Sequence, residues 1–383
     1  MIPYGRQDVT DADVQSVVEV LRSDFLTQGP IVPRFEEAVA QRVNARHAVA
    51  MNSATSALHV ACAALDLAAG DRLWTVSNTF VASANCGLYC GATVDFVDID
   101  ASTWNMSVER LEDKLVLAKK AGALPKIVVP VHFAGQPTEQ QAIWELSREY
   151  GFNIVEDASH SIGAARDGES VGSCRWSKVT IFSFHPVKII TSAEGGMALT
   201  NDAALAERMR MLRSHGITRD PRRFGVTDAP PWHYEQQALG FNYRMTDIHA
   251  ALGLSQLQRV NEYVAVRNSL ANRYRAALKG LPLQLPSVTA NNFSAFHLYV
   301  VRLASSAESI HRIVFESLRA RGIGVNLHYT PVHLQPYYRN LGFLPGSLPE
   351  SEAYARTAIT LPLYPALTMD DQDRVIEALR EAL

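Results

Sequence analysis

The feature that most constrains the fold is a regular alternation of short apolar runs with helical patterns between residues 47 and 200. The predicted strands cover 47–51, 72–77, 93–99, 126–133, 153–157, 179–184 and 196–200. The helical patterns between them cover 56–65, 85–90, 108–119 and 139–150. Such alternation is typical of a mostly parallel sheet with helices on both faces. Ligands bind beyond the carboxyl ends of the strands in these sheets, so functional residues should directly follow the apolar runs.

The chain beyond residue 200 predicts a second, smaller domain. A long helical pattern over 248–277 ends at Gly280-Leu281-Pro282, with the glycine where a C-cap belongs and the proline just beyond. A strand-like run over 297–303 and helical patterns over 310–319 and 370–383 follow. We therefore expect a large α/β domain over 1–250, including an N-terminal helical segment that starts at Thr10, and a small α+β domain over 251–383.

Composition narrows the class of protein. Hydrophobic residues make up 47% of the chain, charged residues 20%, and the net charge is −3, which argues against disorder and against nucleic-acid binding. The four cysteines form no CxxC pair, and the first residues lack the apolar core of a secretory signal, so we expect a cytoplasmic protein with reduced thiols. The uncharged stretch 74–94 contains polar residues and predicts a strand, a loop and a helix rather than a membrane span.

Lys188 is the first candidate for chemistry. It follows a predicted strand and lies among Pro186, Val187, Ile189 and Ile190. Desolvation among apolar neighbours lowers the pKa of an amine and makes it a nucleophile toward carbonyl groups. The alternative is a surface lysine whose stem packs on apolar neighbours.

Asp157 and His160 form the second candidate pair. The apolar strand 153–157 delivers Asp157 at its carboxyl end, and His160 follows three residues later. Such a carboxylate can keep the pyridinium nitrogen of pyridoxal 5′-phosphate (PLP) protonated, and the histidine could contact the phenolic oxygen of the ring. The alternative is an aspartate that only caps the following turn.

The segment 52–58 is the third candidate, because a strand ends there in a small hydroxyl-bearing turn that opens a helix. Free N–H groups and the positive end of the helix dipole suit a phosphate, although many helices begin with Ser or Thr without any ligand. Phe80 follows the next strand and could stack on a planar ring or belong to the core. Asp95, Asp98 and Asp100 could be imagined as a metal site, but a solvated strand edge is the favoured interpretation.

This ordered set of residues resembles the DegT/DnrJ/EryC1/StrS sugar aminotransferases, which are fold-type I PLP enzymes. The similarity extends over nearly the whole chain and is concentrated in residues 26–30, 52–58, 132–137, 156–160, 182–188, 194–196 and 240–247. The resemblance implies a mostly parallel seven-stranded sheet sandwiched by helices, with a smaller C-terminal α+β domain.

The resemblance also implies a role for each candidate residue. Lys188 would bind PLP covalently and move the proton during transfer, Asp157 would pair with the pyridinium nitrogen and His160 would neighbour the ring oxygen. The other implied cofactor contacts are Phe80 on the ring face and Thr55, Ser56, Ser183 and Asn242 around the phosphate. The implied substrate contacts are Tyr4, Leu26, Thr27, Ala54, Ser183, Asn242, His328 and Tyr329. Asn242 would come from a partner subunit, so a homodimer with shared active sites is expected, and no metal.

Residues 182–188, 213–216 and 327–333 are similar to the branch of the family that acts in pseudaminic acid biosynthesis. This likeness implies amino transfer from L-glutamate to a UDP-linked 4-keto-6-deoxy-N-acetylhexosamine. Three alternatives stay open: an aminotransferase for another UDP- or dTDP-linked 4-keto or 3-keto sugar, a sugar dehydratase of the same fold, and a catalytically silent ligand-sensing protein. Lys188 speaks against the dehydratase, because those relatives carry histidine in its place.

Overall fold

The computed structural model describes the backbone of residues 1–383 and the side chains of residues 1–304 and 308–383. The helices are α1 (Asp11–Leu21), α2 (Ile31–Val43), α3 (Ala54–Ala64), α4 (Ala82–Tyr89), α5 (Val108–Ala121), α6 (Gln140–Tyr150), α7 (Ala203–Arg213), α8 (Asp247–Leu257), α9 (Val260–Ala277), α10 (His311–Ala320), α11 (Pro336–Asn340), α12 (Pro349–Ala355) and α13 (Met369–Ala382). The strands are β1 (His47–Met51), β2 (Arg72–Val76), β3 (Thr93–Val97), β4 (Ile127–Val129), β5 (Asn153–Asp157), β6 (Ala165–Arg166), β7 (Glu169–Ser170), β8 (Val179–Ser183), β9 (Gly196–Thr200), β10 (Ile217–Thr218), β11 (Glu235–Gln236), β12 (Leu283–Gln284), β13 (Asn292–Phe293), β14 (Tyr299–Leu303) and β15 (Ala358–Leu361).

A seven-stranded sheet with the order β1-β9-β8-β5-β4-β2-β3 forms the centre of the molecule. Strand β9 pairs antiparallel with both neighbours, and every other pairing in this sheet is parallel. Successive side chains of β1 point to opposite faces: Val49 and Met51 pack in one apolar cluster, and Ala48 and Ala50 pack in another. The prediction of a mostly parallel seven-stranded sheet covered by helices is confirmed.

Two predicted elements differ from the structure by more than the position of their ends. The run over 126–133 forms a continuous ladder only in β4, because Pro130 has no N–H to donate; beyond it, an isolated parallel bridge joins Val131 to Asp157. The expected single helix over 248–277 is wrong, since α8 and α9 are separate. At the break, Arg259 adopts φ −103° and ψ 7°, and its guanidinium donates to Asp13 Oδ2 over 2.6 Å.

The buried carboxylate of Asp13 ties the N-terminal helix to the large domain. Its Oδ2 accepts the N–H of Thr10 over 2.8 Å, and the predicted Thr10 is the N-cap of α1. Asp13 also accepts hydrogen bonds from Ser255 Oγ over 2.6 Å and from Gln256 Nε2 over 2.8 Å. One carboxylate thereby caps α1 and anchors it on α8.

The C-terminal part contains a small antiparallel sheet, β12-β14-β15, which packs with α10 and α13 around a separate apolar cluster. Leu298 and Val300, however, pack in the same cluster as Trp74 of β2 and Val128 of β4. The domain limits 1–250 and 251–383 therefore stay a prediction. In the part of the chain that the structure describes, no helix is both long and apolar enough to cross a membrane.

Candidate active site

A cavity of about 390 Å³ lies beyond the carboxyl ends of β5 and β8. This is the edge at which a parallel α/β sheet places its ligands. Ten of the residues predicted from the sequence line its wall: Tyr4, Ala54, Thr55, Phe80, Asp157, His160, Ser183, Lys188, His328 and Tyr329.

Asp157, the last residue of β5, presents a fixed carboxylate to this cavity. Its Oδ2 accepts a hydrogen bond from Ser83 Oγ over 2.6 Å, and its Oδ1 accepts the N–H of Ser159 over 3.1 Å. Ser83 lies on α4 and receives a further contact from Thr79 Oγ1 at 2.8 Å. Only 6% of Asp157 is exposed, so these contacts, rather than solvent, set the orientation of the carboxylate.

Lys188 lies in the turn after β8, where its N–H donates to the carbonyl of His185 over 2.9 Å. Burial lowers the pKa of the Lys188 amine to about 8, against a smaller opposing effect of the Asp157 charge. A substantial fraction of the amine is therefore unprotonated near neutral to mildly basic pH, as a nucleophile or a base requires.

His160 is held between a backbone donor and a phenol. Its Nδ1 accepts the N–H of Ala134 over 3.3 Å, and its Nε2 lies 3.2 Å from the hydroxyl of Tyr329. Burial, followed by the charge of Lys188, holds the pKa of His160 well below its ordinary value, so the ring is neutral. The hydrogen bond at Nδ1 assigns the ring proton to Nε2. Burial also raises the pKa of Tyr329, which keeps its hydroxyl protonated.

The turn before α3 packs directly on β9. Helix α3 begins at Ala54, and Ser53 Oγ accepts the N–H of Ser56 over 3.1 Å. A Cβ at Gly196 would lie 2.4 Å from the backbone of Ser53 and Ala54, which explains the glycine at this position. Ala54 and Thr55 line the cavity, whereas the Ser56 hydroxyl donates to Asn52 Oδ1 over 2.6 Å and lies outside the cavity wall.

The opposite wall carries uncharged aromatic and imidazole groups. The Tyr4 ring lies 5.1 Å from that of His328, and the carbonyl of Tyr4 accepts the N–H of Leu363 over 3.0 Å. His328 contacts Thr360 Oγ1 through Nδ1 at 2.9 Å, and burial with the Lys188 charge lowers its pKa to about 3. Phe80 is 59% exposed at the mouth of the cavity.

Four of the predicted residues lie outside this cavity: Ser56, in the turn before α3, and the three residues Leu26, Thr27 and Asn242. Thr27 pairs with Thr246, the carbonyl of Leu26 accepts the N–H of Asp247 over 3.0 Å, and Asn242 pairs with Ser214. Leu26, Thr27 and Asn242 are exposed on this chain. The structure thus places Leu26, Thr27 and Asn242 on a surface rather than with Lys188.

Sequence reasoning missed two residues of the site. Ser83 is a helical serine whose partner lies 74 positions away, so no local pattern marks it. His297 starts the predicted strand 297–303 and was given no role, yet it lines the cavity beside His160. The sequence offered one signal for His297, its place at the start of the predicted strand 297–303. That signal would have sufficed only with the knowledge that the C-terminal part also lines the cavity.

The three aspartates that could be imagined as a metal site each have another contact. Asp95 Oδ2 lies 2.7 Å from Lys114 Nζ, and Asp98 Oδ1 accepts the hydroxyl of Ser351 over 2.6 Å. Asp100 Oδ1 accepts the N–H groups of Ser102 and Thr103. Each carboxylate stabilises a local contact of the fold.

Comparisons with known proteins agree with this geometry. The model of the DegT/DnrJ/EryC1/StrS aminotransferase family matches residues 7–380. The spore coat polysaccharide biosynthesis protein SpsC of Bacillus subtilis is 36% identical over 385 residues, covering 99% of this chain and 96% of that protein. Helicobacter pylori PseC, an aminotransferase involved in the biosynthesis of pseudoaminic acid, superposes with a TM-score of 0.91 at 29% identity, covering 100% of this chain and 98% of that one. The PLP form of the sugar aminotransferase Spr1654 of Streptococcus pneumoniae superposes with a TM-score of 0.89 at 29% identity, covering 100% of this chain and 99% of that one.

The residues of the cavity fit PLP, the cofactor of this family. Lys188 supplies an amine with a lowered pKa, and Asp157 supplies a carboxylate fixed by Ser83. The turn at Ala54 and Thr55 supplies a helix N-terminus that a side chain at Gly196 would displace. The chain belongs to the DegT/DnrJ/EryC1/StrS aminotransferase family and is a PLP-dependent sugar aminotransferase.

Proposed function

We propose that this enzyme transfers the amino group of L-glutamate to C4 of a UDP-linked 4-keto-6-deoxy-N-acetylhexosamine, in the biosynthesis of pseudaminic acid. The observation that carries the chemistry is the Lys188 amine, which faces the same cavity as Asp157 and His160. The choice of sugar is supported by the similarity to PseC over the whole chain. It is also supported by the stretches 182–188, 213–216 and 327–333.

When bound, PLP supplies an electron sink that stabilises negative charge on the carbon bearing the amino group. Asp157, held by Ser83, would keep the ring nitrogen of the cofactor protonated. Lys188 Nζ would hold the cofactor covalently and then act as the base that moves the proton between the amino-bearing carbon and C4′ of the cofactor. Its lowered pKa favours both roles, because each requires an unprotonated amine.

The N-terminus of α3 with Thr55, together with Ser183 at the end of β8, would hold the phosphate. Ser56 would contribute through the backbone of the same turn, since its hydroxyl is engaged by Asn52. Phe80, open to the cavity mouth, would cover one face of the cofactor ring.

The sugar would bind against Tyr4, Ala54, His328 and Tyr329. The imidazole of His328 is neutral because its pKa is lowered to about 3, and burial raises the pKa of both tyrosines. Neutral donors and acceptors suit the hydroxyl and carbonyl groups of a sugar, which carry no charge. We propose that this wall selects the sugar half of the substrate.

We further propose a cytoplasmic homodimer in which Leu26, Thr27 and Asn242 complete the cavity of a second copy. These residues are exposed and lie far in sequence from Lys188. Large apolar side chains are exposed in the same two regions of the chain: Val14, Leu21, Phe25, Val226, Trp232, Tyr234 and Leu239. Exposed apolar surface of this kind is typical of a protein interface.

A second candidate is amination of a different nucleotide-linked keto sugar. It is favoured by the similarity to SpsC, a spore coat polysaccharide biosynthesis protein, which at 36% is more identical than PseC. One hydroxyl or methyl group changes substrate preference by about 1–3 kcal/mol, so a few loop residues could decide between the sugars.

The test is a substrate panel. The purified PLP-loaded enzyme is incubated with L-glutamate and with UDP- or dTDP-linked 4-keto and 3-keto sugars, and the product is identified by NMR. We expect a C4 amino sugar from the UDP-linked 4-keto-6-deoxy-N-acetylhexosamine, and Lys188→Ala should abolish it. Lys178→Ala, at the exposed start of β8, is the matched control. A preference for a dTDP-linked or 3-keto sugar would contradict the proposal, and a deoxygenated product would indicate a dehydratase.

A further inference from the structure

His297 is a buried histidine in the wall of the cavity to which no role has been assigned. Its ring lies 4.4 Å from the ring of His160 at an interplanar angle of 45°, and only 4% of the residue is exposed. The two imidazoles are therefore in direct contact. His160 in turn contacts the hydroxyl of Tyr329.

The backbone around His297 is fixed from two sides. The buried guanidinium of Arg267 donates to the carbonyl of His297 over 3.2 Å and to that of Leu363 over 2.9 Å. Gly135 approaches so closely that a Cβ there would lie 2.8 Å from the N–H nitrogen of His297. Gly135 adopts φ +98°, a conformation that also favours glycine.

The same turn that touches His297 also holds His160. The N–H of Ala134 donates to His160 Nδ1, while the carbonyl of Ala134 accepts the N–H of Leu298 over 3.3 Å. The carbonyl of Gly135 accepts the N–H of Ala295 over 3.0 Å. The turn 133–135 and the segment 295–298 thus form one unit, which contacts His160 at a ring nitrogen and at the ring surface.

The ring nitrogen Nδ1 of His297 makes no hydrogen bond that could hold the ring in this unit. Nδ1 is fully buried and has no hydrogen-bond partner among the described residues. The contact that the side chain of His297 does make within this unit is that of its ring with the ring of His160.

We infer that His297 is a positioning residue: its ring holds His160 so that Nε2 points at the Tyr329 hydroxyl. The consequence is a single orientation and a single tautomer of His160 at the place where the cofactor and the sugar meet. Without the ring of His297, His160 gains space to turn, and its Nδ1 loses the fixed contact with the Ala134 N–H.

The test compares His297→Ala with His297→Phe in the full-length protein. The ring nitrogens of His160 are observed by ¹⁵N NMR in the cofactor-free protein, with the assignment taken from His160→Gln. We expect one neutral Nε2–H tautomer in the wild type, a mixture in His297→Ala, and recovery of the single tautomer in His297→Phe. In the loaded enzyme, His297→Ala should lower kcat about tenfold with KM changed less than kcat, and His297→Phe should recover most of that loss.

His47→Ala is the control, because His47 begins the edge strand β1 and does not line the cavity. Circular dichroism and Tm check that each variant folds. The inference would be overturned if His297→Ala lowered Tm without changing the His160 signals. It would also be overturned if His297→Phe were as impaired as His297→Ala, since the nitrogen would then contact a ligand directly. The NMR result does not depend on the identity of the sugar, so it is independent of the proposed substrate.

Discussion

The hydroxyl of Ser83 donates to Asp157 Oδ2 over 2.6 Å and thereby joins α4 to the end of β5. The contact lies inside the protein, since Ser83 is fully buried. A short hydrogen bond to a buried carboxylate fixes the orientation of that carboxylate. Because Asp157 is the proposed partner of the cofactor ring, Ser83 controls the group on which the electron sink depends.

Ser83→Ala should therefore weaken cofactor binding and activity without unfolding the protein. Loss of a hydrogen bond to a charged group is worth about 1.5–3 kcal/mol, which corresponds to roughly 10–100-fold in affinity. The measurement is the Kd for PLP of the cofactor-free protein, followed by kcat/KM. Ser102→Ala, an exposed serine that contacts Asp100, is the control. An unchanged Kd would show that Ser159 alone suffices to fix Asp157.

The lowered pKa of Lys188 predicts the pH dependence of cofactor capture. An ordinary lysine has a pKa of 10.5, whereas burial lowers the pKa of Lys188 to about 8. Only the unprotonated amine attacks an aldehyde, so the rate of covalent PLP incorporation should rise with pH and level off above about pH 8. Below that pH it should fall about tenfold per unit, as the free-amine fraction does.

Stopped-flow absorbance of the cofactor-free protein mixed with PLP measures this rate. Lys178→Ala should give the same profile, and Lys188→Ala should give no incorporation after borohydride reduction. A midpoint above pH 10 would mean that the amine is hydrated like a surface lysine.

Gly196→Ala should disturb the turn that is proposed to hold the phosphate. The added Cβ would lie 2.4 Å from the backbone of Ser53 and Ala54, so the start of α3 must move. Overpacking of this kind costs about 1–3 kcal/mol of unfolding free energy, and the displaced N–H groups should lower PLP affinity at least tenfold. Gly225→Ala is the control, since its Cβ would first meet Glu235 at 3.7 Å. Wild-type affinity in Gly196→Ala would exclude this turn as the phosphate site.

Asp13 predicts how stability depends on pH. Burial alone would raise its pKa, but hydrogen bonds from Ser255, Thr10, Arg259 and Gln256 together lower it. A lowered pKa means that the contribution to stability is complete above the pKa of the unfolded state and is lost as the pH falls through the folded-state pKa. Asp13→Ala should reduce the unfolding free energy by about 3 kcal/mol at pH 7, because Arg259 would remain without its partner.

Urea unfolding between pH 3 and 7 measures this effect. The difference in unfolding free energy between wild type and Asp13→Ala should shrink toward low pH. There the Asp13 carboxylate of the wild type is protonated and no longer pairs with Arg259 as an ion. Asp11→Ala, an exposed acid in the first turn of the same helix, should change little. A difference that is constant over the whole range would assign the loss to packing rather than to charge.

The sequence predicted the part of this molecule that depends on local pattern. Strands β1, β5 and β9 begin and end at the predicted residues, and Asp157 and Lys188 lie beside one cavity because both follow strands of one parallel sheet. Contacts between distant elements leave no such pattern. Asp157 accepts a hydrogen bond from Ser83 on α4, and the ring of His160 contacts that of His297, 137 positions away. Both contacts result from the packing of elements that are distant in the sequence. The break between α8 and α9 was missed for the same reason, since Arg259 contacts Asp13, which lies 246 positions earlier in the chain.

The proposed shared active site predicts that two impaired variants complement each other. Lys188→Ala should be inactive, and Asn242→Ala should lose roughly 10–100-fold through one lost phosphate contact. In a mixed dimer, one cavity then combines the intact Lys188 of one copy with the intact Asn242 of the other. Random exchange of subunits makes about half of the dimers mixed, each with one working site, so roughly a quarter of wild-type activity should return. Activity is measured after partial unfolding and refolding of an equimolar mixture, and each variant treated alone is the control. No gain over the Asn242→Ala variant would show that Asn242 does not reach the cavity of a second copy.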